Sequence, residues 1–496
     1  MMGRQDEPQG KLFTVGISLE KRVRKDHLLR RIAEAVDFDF IYGEVAEKYG
    51  RRGNVSVPPP VLLKLMLLLA LYNVRSEREL MSALPERLDW LWFLGYDLDS
   101  EIPNHSVLSK ARRRWGEDVF RRVFERVVRR CVEAGLVAGD KIFVDSSLVA
   151  ADASQDSVVD TQSLTAQLSE KYEQLRKRLE EQPSARESGP QTETNARYAS
   201  ATDPDSAIVK RGDSRLRYQG HRAVDASGVI TATAVTPGDV NEAHLLMDLA
   251  KQHEETTGVA ATTAVADSKY GTAENYLACR DAGMRAHIPT MSGGTAKRLE
   301  KRGLFLEDRF AYDAARDVYV CPAGRELKRR TLHQGRHNLE YMASKRDCRE
   351  CELREQCTRS KTARTVMRHL REEELAAMRA AAKTRAAKRD LKLRQHLCEA
   401  SFGNATRYGF KRARWRRLWR VTIQDLIICT VQNIEKLVRH QRRYESGAAA
   451  VAVRCPLGPV GGLSRLYALL RSCFVAMVTA RPSCDSSRRR LLPARI

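Results

Sequence analysis

The chain has 496 residues, 43% of them hydrophobic and 30% charged, the composition of a folded globular protein of two or three domains rather than a disordered one. Its longest apolar run, Val61 to Tyr72, is interrupted by Lys64 and falls short of the roughly twenty residues that a membrane span needs. Lys and Arg outnumber Asp and Glu by 86 to 63, a formal +23, which points to a polyanionic partner, nucleic acid or an acidic surface.

The excess is uneven: residues 384–443 hold 16 basic and 4 acidic side chains, a local balance of +12. The opening MMGRQDEPQG carries no apolar signal core, so a cytoplasmic location is expected. Eleven cysteines in that compartment imply thiols or a metal site rather than disulfides.

The first 135 residues read as an all-helical domain. Pro58, Pro59 and Pro60 open the helical run VLLKLMLLLALY, and Ser76 with Glu79 forms a capping box for a second helix. Residues 86–94 and 117–134 follow with apolar residues at helical spacing. Between them Ser106 starts a short helix whose Lys110, Arg112, Arg113 and Arg114 offer a DNA-facing edge.

Strands are expected next. IFVDSSLVAAD (142–152) is apolar and interrupted by a carboxylate, and 217–225 with 229–237 reads as a hairpin. A helix over 241–255, a strand over 261–270, a helix over 272–283 closed by Gly283, and a strand over 284–289 complete the series. Three strands, helix, strand, helix, strand is the order of an RNase H-like α/β core. The expected organisation is therefore a helical N-terminal DNA-binding domain (1–135), a core (136–290) interrupted by a helical and flexible insert (156–215), a Cys-rich insert (291–385), a C-terminal catalytic helix with a basic segment (386–443), and a tail (444–496). In the first insert Leu164, Leu168, Tyr172, Leu175 and Leu179 share one helical stripe, ahead of a polar tract from Pro183 to Arg197.

A carboxylate in a buried strand is costly unless something compensates its charge. Asp145 lies in the first apolar strand and Asp267 ends the fourth, and neighbouring strands of such a sheet would bring them together. Hard oxygen ligands of this kind suit Mg²⁺, and two such ions can activate one oxygen of a phosphodiester displacement and stabilise the other. Glu399, an acid in a basic helical stretch, is the candidate third ligand; its rivals nearby are Asp390, Asp425 and Glu435. Asp225 and the pair Asp203 and Asp205 have simpler readings as turn residues.

The stretches PPPVLLKLMLLLALYNVRSEREL, WFLGYDLDSEIPNHSVLSKARRR, TDPDS, YQGHRAVD, VADSKYGTAEN and EASFGN…GFKRARWRR resemble, in content and order over residues 20–440, a transposase of the insertion-sequence family numbered eleven eighty-two, within the DDE group. That resemblance implies an RNase H fold, a D, D, E triad on Asp145, Asp267 and Glu399, and Mg²⁺ or Mn²⁺ as cofactor. It also implies double-stranded DNA (terminal inverted repeats and target) as partner, a homodimer on that DNA, and a place at the bacterial nucleoid. Related transposases carry Y-x2-R-x3-E-x6-K around the acid; here Lys392, Gln395 and Thr406 stand at those places, with Arg394 and Arg407 one residue away, and Arg417 replaces a common glycine.

Further DNA contacts are expected from Arg394, Arg407, Lys411, Arg412 and Arg414, in the most basic segment. Cys321, Cys348, Cys351 and Cys357, spaced C-x26-C-x2-C-x5-C, suit one structural Zn²⁺, with free thiols as the alternative. Cys131, Cys279, Cys398 and Cys429 sit in apolar contexts and read as core. Three functions compete: an active DDE transposase, a nuclease that cuts without strand transfer, and a catalytically silent relic that only binds DNA.

Overall fold

In the computed structural model, which describes residues 2–3, 18–50, 52–160, 193–211, 213–290 and 298–453, the N-terminal region is helical throughout. It holds α1 (Leu19–Arg22), α2 (Leu28–Ala35), α3 (Phe40–Val45), α4 (Pro59–Leu71), α5 (Glu77–Ala83), α6 (Leu88–Leu94) and α7 (Ser106–Glu133). Pro59 and Pro60 occupy the first turn of α4, where the missing N–H has no intrahelical partner to lose. Eleven of the thirteen α4 residues are buried, so α4 is the central post of this region rather than an amphipathic surface helix. Ser76 accepts from the Glu79 N–H at 3.1 Å, the expected cap of α5. The short helix expected at Ser106 and the longer one over 117–134 are halves of α7, bent where Gly116 adopts φ 71° and ψ 177°.

The central sheet follows: β1 (Lys141–Ala150), β4 (Ala207–Arg211), β5 (Asp213–Val224), β6 (Ile230–Pro237), β7 (Thr263–Val265) and β8 (Arg285–His287). β6 and β1 flank β5, both antiparallel to it, and β7 then β8 continue from β1 in parallel. Parallel neighbours need crossover connections, and α9 (Leu246–Thr257) precedes β7 while α10 (Ala273–Asp281) joins β7 to β8. The strand expected over 261–270 is only three residues long. Two small strands, β2 (Val158–Asp160) and β3 (Tyr198–Ser200), pair apart from the main sheet, with α8 (Glu193–Arg197) before β3. The apolar stripe expected over 164–179, most of the tract after Pro183, and the tail beyond 453 lie outside the described residues.

The region of the Cys-rich insert differs from expectation. Besides the Ala-rich helix α13 (Glu372–Ala381) and two short helices, α11 (Lys345–Arg349) and α12 (Arg354–Cys357), it forms an antiparallel five-stranded sheet. Its strands are β9 (Ala311–Asp313), β10 (Val318–Val320), β11 (Glu326–His333), β12 (Asn338–Ala343) and β13 (Thr365–His369). Phe310, Tyr319, Leu327 and Tyr341 form its own apolar core. The strand pattern was hidden because β11 reads ELKRRTLH and is largely exposed.

Two helices close the described fold, α14 (Arg385–Arg407) and α15 (Leu418–Val453). Contacts divide the chain into one compact unit, Met1–Arg439, and a second, His440–Ile496. Within the first unit the sheet is covered on both faces. Ile142 and Val144 pack with Leu246, Leu249, Tyr276 and Met378 on one side, and Phe143 and Val265 meet Cys398 of α14 on the other. The helical N-terminal region shares one apolar cluster with β5 and α15, so Leu65, Trp115, Tyr218 and Ile427 belong to the same core. Cys131, Cys279, Cys398 and Cys429 are all buried, as expected of core thiols.

At the centre Arg222 of β5, fully buried, pairs with Asp425 of α15 at 2.6 Å. Its other terminal nitrogen reaches Ser401 Oγ of α14 at 3.1 Å and Gln432 Oε1 at 2.9 Å, while Phe402 and Phe410 cover the guanidinium from 4.8 Å. Burial works against the charge, but Asp425 holds the Arg222 pKa above its ordinary value. The TDPD stretch is more than a turn: Asp203 Oδ1 accepts from Arg417 N at 2.8 Å, and Asp205 Oδ2 from Leu418 N at 2.9 Å. The two carboxylates thus satisfy free N–H groups at the start of α15, where the helix dipole also favours negative charge. Removing one partner of a buried pair strands the other charge, at a cost of about 3–5 kcal/mol. Asp425→Ala should lower stability by that amount in denaturant melts; a loss under about 1 kcal/mol would show that Arg222 does not organise the helices.

Candidate active site

β1 enters the core through the buried Ile142, Phe143 and Val144, and half-buried Asp145 follows. Phe143 is the parallel partner of Val265, so Asp145 and Asp267 each lie two residues beyond a paired position, near enough for the Asp267 charge to act on Asp145. Because β7 ends at Val265, Asp267 leaves the sheet. Its Oδ1 accepts from Lys269 N at 2.9 Å and caps the turn Ser268–Tyr270. Asp145 Oδ1 accepts from Ser146 N at 2.8 Å. Burial pushes the Asp145 carboxyl pKa up; Arg394 opposes this, and the negative charges of Asp267 and Glu242 add to it.

Arg394 is on α14, and its Nη1 lies 2.8 Å from Asp145 Oδ2 with the side chain only 15% exposed. A residue expected to contact DNA is thus paired with a candidate metal ligand. One turn further, Cys398 Sγ sits 3.7 Å from the Phe143 carbonyl and fixes α14 against β1. Glu399 comes next, exposed, its Oε1 accepting from Gln395 Nε2 at 3.1 Å. Its rivals are committed elsewhere. Asp390 pairs with Lys141 at 3.1 Å and His287 at 2.7 Å, Asp425 with Arg222, and Glu435 with Arg439 at 2.6 Å. Asp225, as expected, belongs to the hairpin turn, where its carboxylate accepts from Ser227 N at 2.8 Å and Gly139 N at 3.1 Å.

One site residue escaped the sequence reading. Glu242, at the turn that leads into α9, is 6% exposed and touches Ser146, Gln219 and Lys269. Burial opposes its ionisation, but the bonds from Lys269 and Ser146 outweigh burial and hold its pKa below the usual range. The available signal was its place on the stripe Glu242, Leu246, Leu249, His253, all buried in the structure. A carboxylate heading an apolar stripe needs a partner.

The basic side chains separate into two groups. Lys110, Arg113, Arg114, Arg407, Lys411 and Arg412 are exposed, and Lys411 Nζ lies 3.2 Å from Ser147 Oγ, two residues beyond Asp145. Arg112 instead is 4% exposed, ion-paired with Glu77 and stacked 3.8 Å over the Trp415 ring. Arg414 is tied to Asn73 Oδ1 at 2.6 Å and to the Val74 carbonyl. Arg112, Arg113 and Arg414 line one open cleft of about 490 Å³ together with Arg75, Arg78 and Arg420.

Cys321, Cys348, Cys351 and Cys357 line a common small cavity beside Arg325, Arg354 and Arg364. Arg325 N donates to Cys321 Sγ at 3.3 Å. Among the described residues, no three His, Cys, Asp or Glu side chains are gathered as they stand to hold a metal ion, a statement that covers both this cavity and the acidic cluster. Also among the described residues, no helix is long and apolar enough to cross a membrane.

Comparison with known proteins yields two family matches and no match among curated proteins. Residues 320–438, which include Glu399 and the four cysteines, match the model described as a transposase DDE domain. Residues 17–114, with Lys110, Arg112, Arg113 and Arg114 at their end, match the one described as a transposase domain (DUF772). Asp145 and Asp267 fall outside both spans. The two matches together support an insertion-sequence DDE transposase.

Proposed function

We propose that the chain is an insertion-sequence transposase of the family numbered eleven eighty-two, which binds the element ends, cuts them and joins them to target DNA at Asp145, Asp267 and Glu399 on an RNase H-like core. The observation that carries this reading is Asp145 in the middle of β1 and Asp267 just beyond the end of its parallel neighbour β7, near enough to act on one another electrostatically, with the helix that bears Glu399 packed against β1 through Cys398. Antiparallel β6–β5–β1 continued by parallel β7 and β8 is the strand order of such a core.

The two aspartates fit a divalent cation: both are oxygen donors, and half-buried Asp145 has its pKa raised by burial and further by the negative charges of Asp267 and Glu242, a penalty on the charged form that added positive charge relieves. Glu399 lies on the exposed side of α14 and would have to turn toward the two aspartates to complete the ligand set. Mg²⁺ or Mn²⁺ bound there would supply charge stabilisation for the attacking and leaving oxygens of a phosphodiester displacement. The chain's own contribution is positional. Arg394 pairs with Asp145, and exposed Lys411, beside Ser147, is placed to receive a backbone phosphate near the acids.

Asp267→Asn keeps the volume and removes the charge, so cleavage of a transposon-end duplex in Mg²⁺ should fall by orders of magnitude while DNA binding persists, since binding rests on the basic surfaces. Glu399→Gln should do the same, and the double change should add little because the triad acts as a unit. Near-normal cutting by Asp267→Asn would remove the assignment. Replacing Arg407, Lys411 and Arg412 with Ala should flatten the salt dependence of DNA binding by about one unit of log–log slope per lost phosphate contact. An unaltered slope would exclude this segment from the DNA surface.

The four cysteines line one small cavity beside three arginines; they are not gathered as ligands as they stand, and they would bind one structural Zn²⁺ by closing about it. Elemental analysis should find about one zinc per chain, lost when Cys348 and Cys351 become Ser; zinc-free protein prepared without chelator would establish free thiols.

A second reading, a silent relic that only binds DNA, is favoured by Arg417. It replaces a glycine common in related sequences and holds φ at 81°, a conformation that costs a non-glycine residue on the order of 1–3 kcal/mol. If Arg417→Gly cuts end DNA and the natural chain does not, the relic reading stands.

A further inference from the structure

Each aspartate of the proposed site is held by a residue whose side chain ends on Glu242. Ser146 donates its N–H to Asp145 Oδ1 at 2.8 Å, and its hydroxyl to Glu242 Oε2. Lys269 donates its N–H to Asp267 Oδ1 at 2.9 Å, and its ammonium pairs with Glu242 Oε1. One carboxylate thus sends one oxygen to β1 and the other to the turn after β7. Gln219 of β5 braces the arrangement, with Nε2 2.6 Å from Ser146 Oγ and 3.0 Å from Glu242 Oε2. The base of the clamp is rigid, because Ala243, Leu246 and Leu249 that follow Glu242 are buried.

We infer that Glu242 is a positioning residue that sets the spacing and orientation of Asp145 and Asp267 through Ser146 and Lys269. The inference rests on the active-site reading above. Two neighbouring carboxylates repel and would rotate apart without a cation between them. Holding each by Oδ1 leaves Oδ2 for a cation, and on Asp145 that oxygen already faces one, the Arg394 guanidinium. Partners behind the ligands commonly matter 10–100-fold in metal affinity. Glu242 is distinguished from a direct ligand by Lys269. A ligand would bind metal better without the competing ammonium, whereas a clamp that acts through Lys269 fails without it.

The test uses the full chain, with Mn²⁺ affinity measured by titration in the absence of DNA, beside kcat and KM on an end duplex. Glu242→Gln should weaken Mn²⁺ about tenfold and lower kcat with KM for DNA unchanged. Lys269→Met should weaken Mn²⁺ similarly, and the double variant should lose no more than the worse single one. Ser146→Ala removes one arm without stranding a buried charge, so it should give a smaller loss in the same direction even if Glu242→Gln folds poorly. Unchanged or tighter Mn²⁺ binding by Lys269→Met, beside a loss in Glu242→Gln, would make Glu242 a ligand and overturn the clamp. Full Mn²⁺ affinity in both Glu242→Gln and Ser146→Ala would overturn it as well, while leaving the triad intact if Asp267→Asn still abolishes cutting. A natural chain that neither binds Mn²⁺ nor cuts would fail the active-site reading itself, and the clamp with it.

Discussion

The buried pair of Arg222 and Asp425 is the contact through which the sheet, the helix bearing Glu399 and the long C-terminal helix are held to one another. An isolated guanidinium in this position would be prohibitively costly. Its charge is matched by Asp425 through Nη2, its Nη1 N–H groups by Ser401 and Gln432, and its flat faces by Phe402 and Phe410, while Nε is buried without a partner among the described residues. These partners come from α14, α15 and the loop between them, so satisfying one cation fixes three separate segments at once. A hydrophobic side chain at 222 could fill the volume, but it would not specify which helix face meets the sheet. Asp203 and Asp205 then fix where α15 begins.

With α14 so placed, the acidic cluster becomes a local electrostatic problem. Three carboxylates, Asp145, Asp267 and Glu242, lie close enough to influence one another, and the protein balances them with Arg394 and Lys269. Tyr270 is buried near them, and burial with the three acids drives its pKa well above the ordinary value.

Much of this was legible in the sequence because the relevant signals were violations of pattern. Asp145 stood out as a carboxylate in an apolar strand, and Asp267 as one at the end of another; the parallel register of β1 and β7 joined them. Glu399 was favoured as an isolated acid, and the burial of Asp390 and Asp425 in ion pairs now removes two of its rivals. Other features were invisible for physical reasons. The five-stranded sheet hid behind solvent-facing charged strands such as Glu326–His333. Arg112 looked like a displayed cation, yet its fate depended on Glu77 and on Trp415, some three hundred residues distant in sequence. The partners of Glu242 come from β1, β5 and the turn after β7, a convergence that no local spacing encodes.

The central claim is that Asp145, Asp267 and Glu399 together receive a divalent cation. A crystal of the full chain bound to an end duplex and soaked in Mn²⁺, with data collected at the manganese absorption edge, tests it most directly. The account predicts an anomalous peak within about 2.0–2.4 Å of carboxylate oxygens from all three residues, with Arg394 withdrawn from Asp145. A DNA-bound chain with no manganese at Asp145 and Asp267, or with manganese held by other side chains, would contradict it.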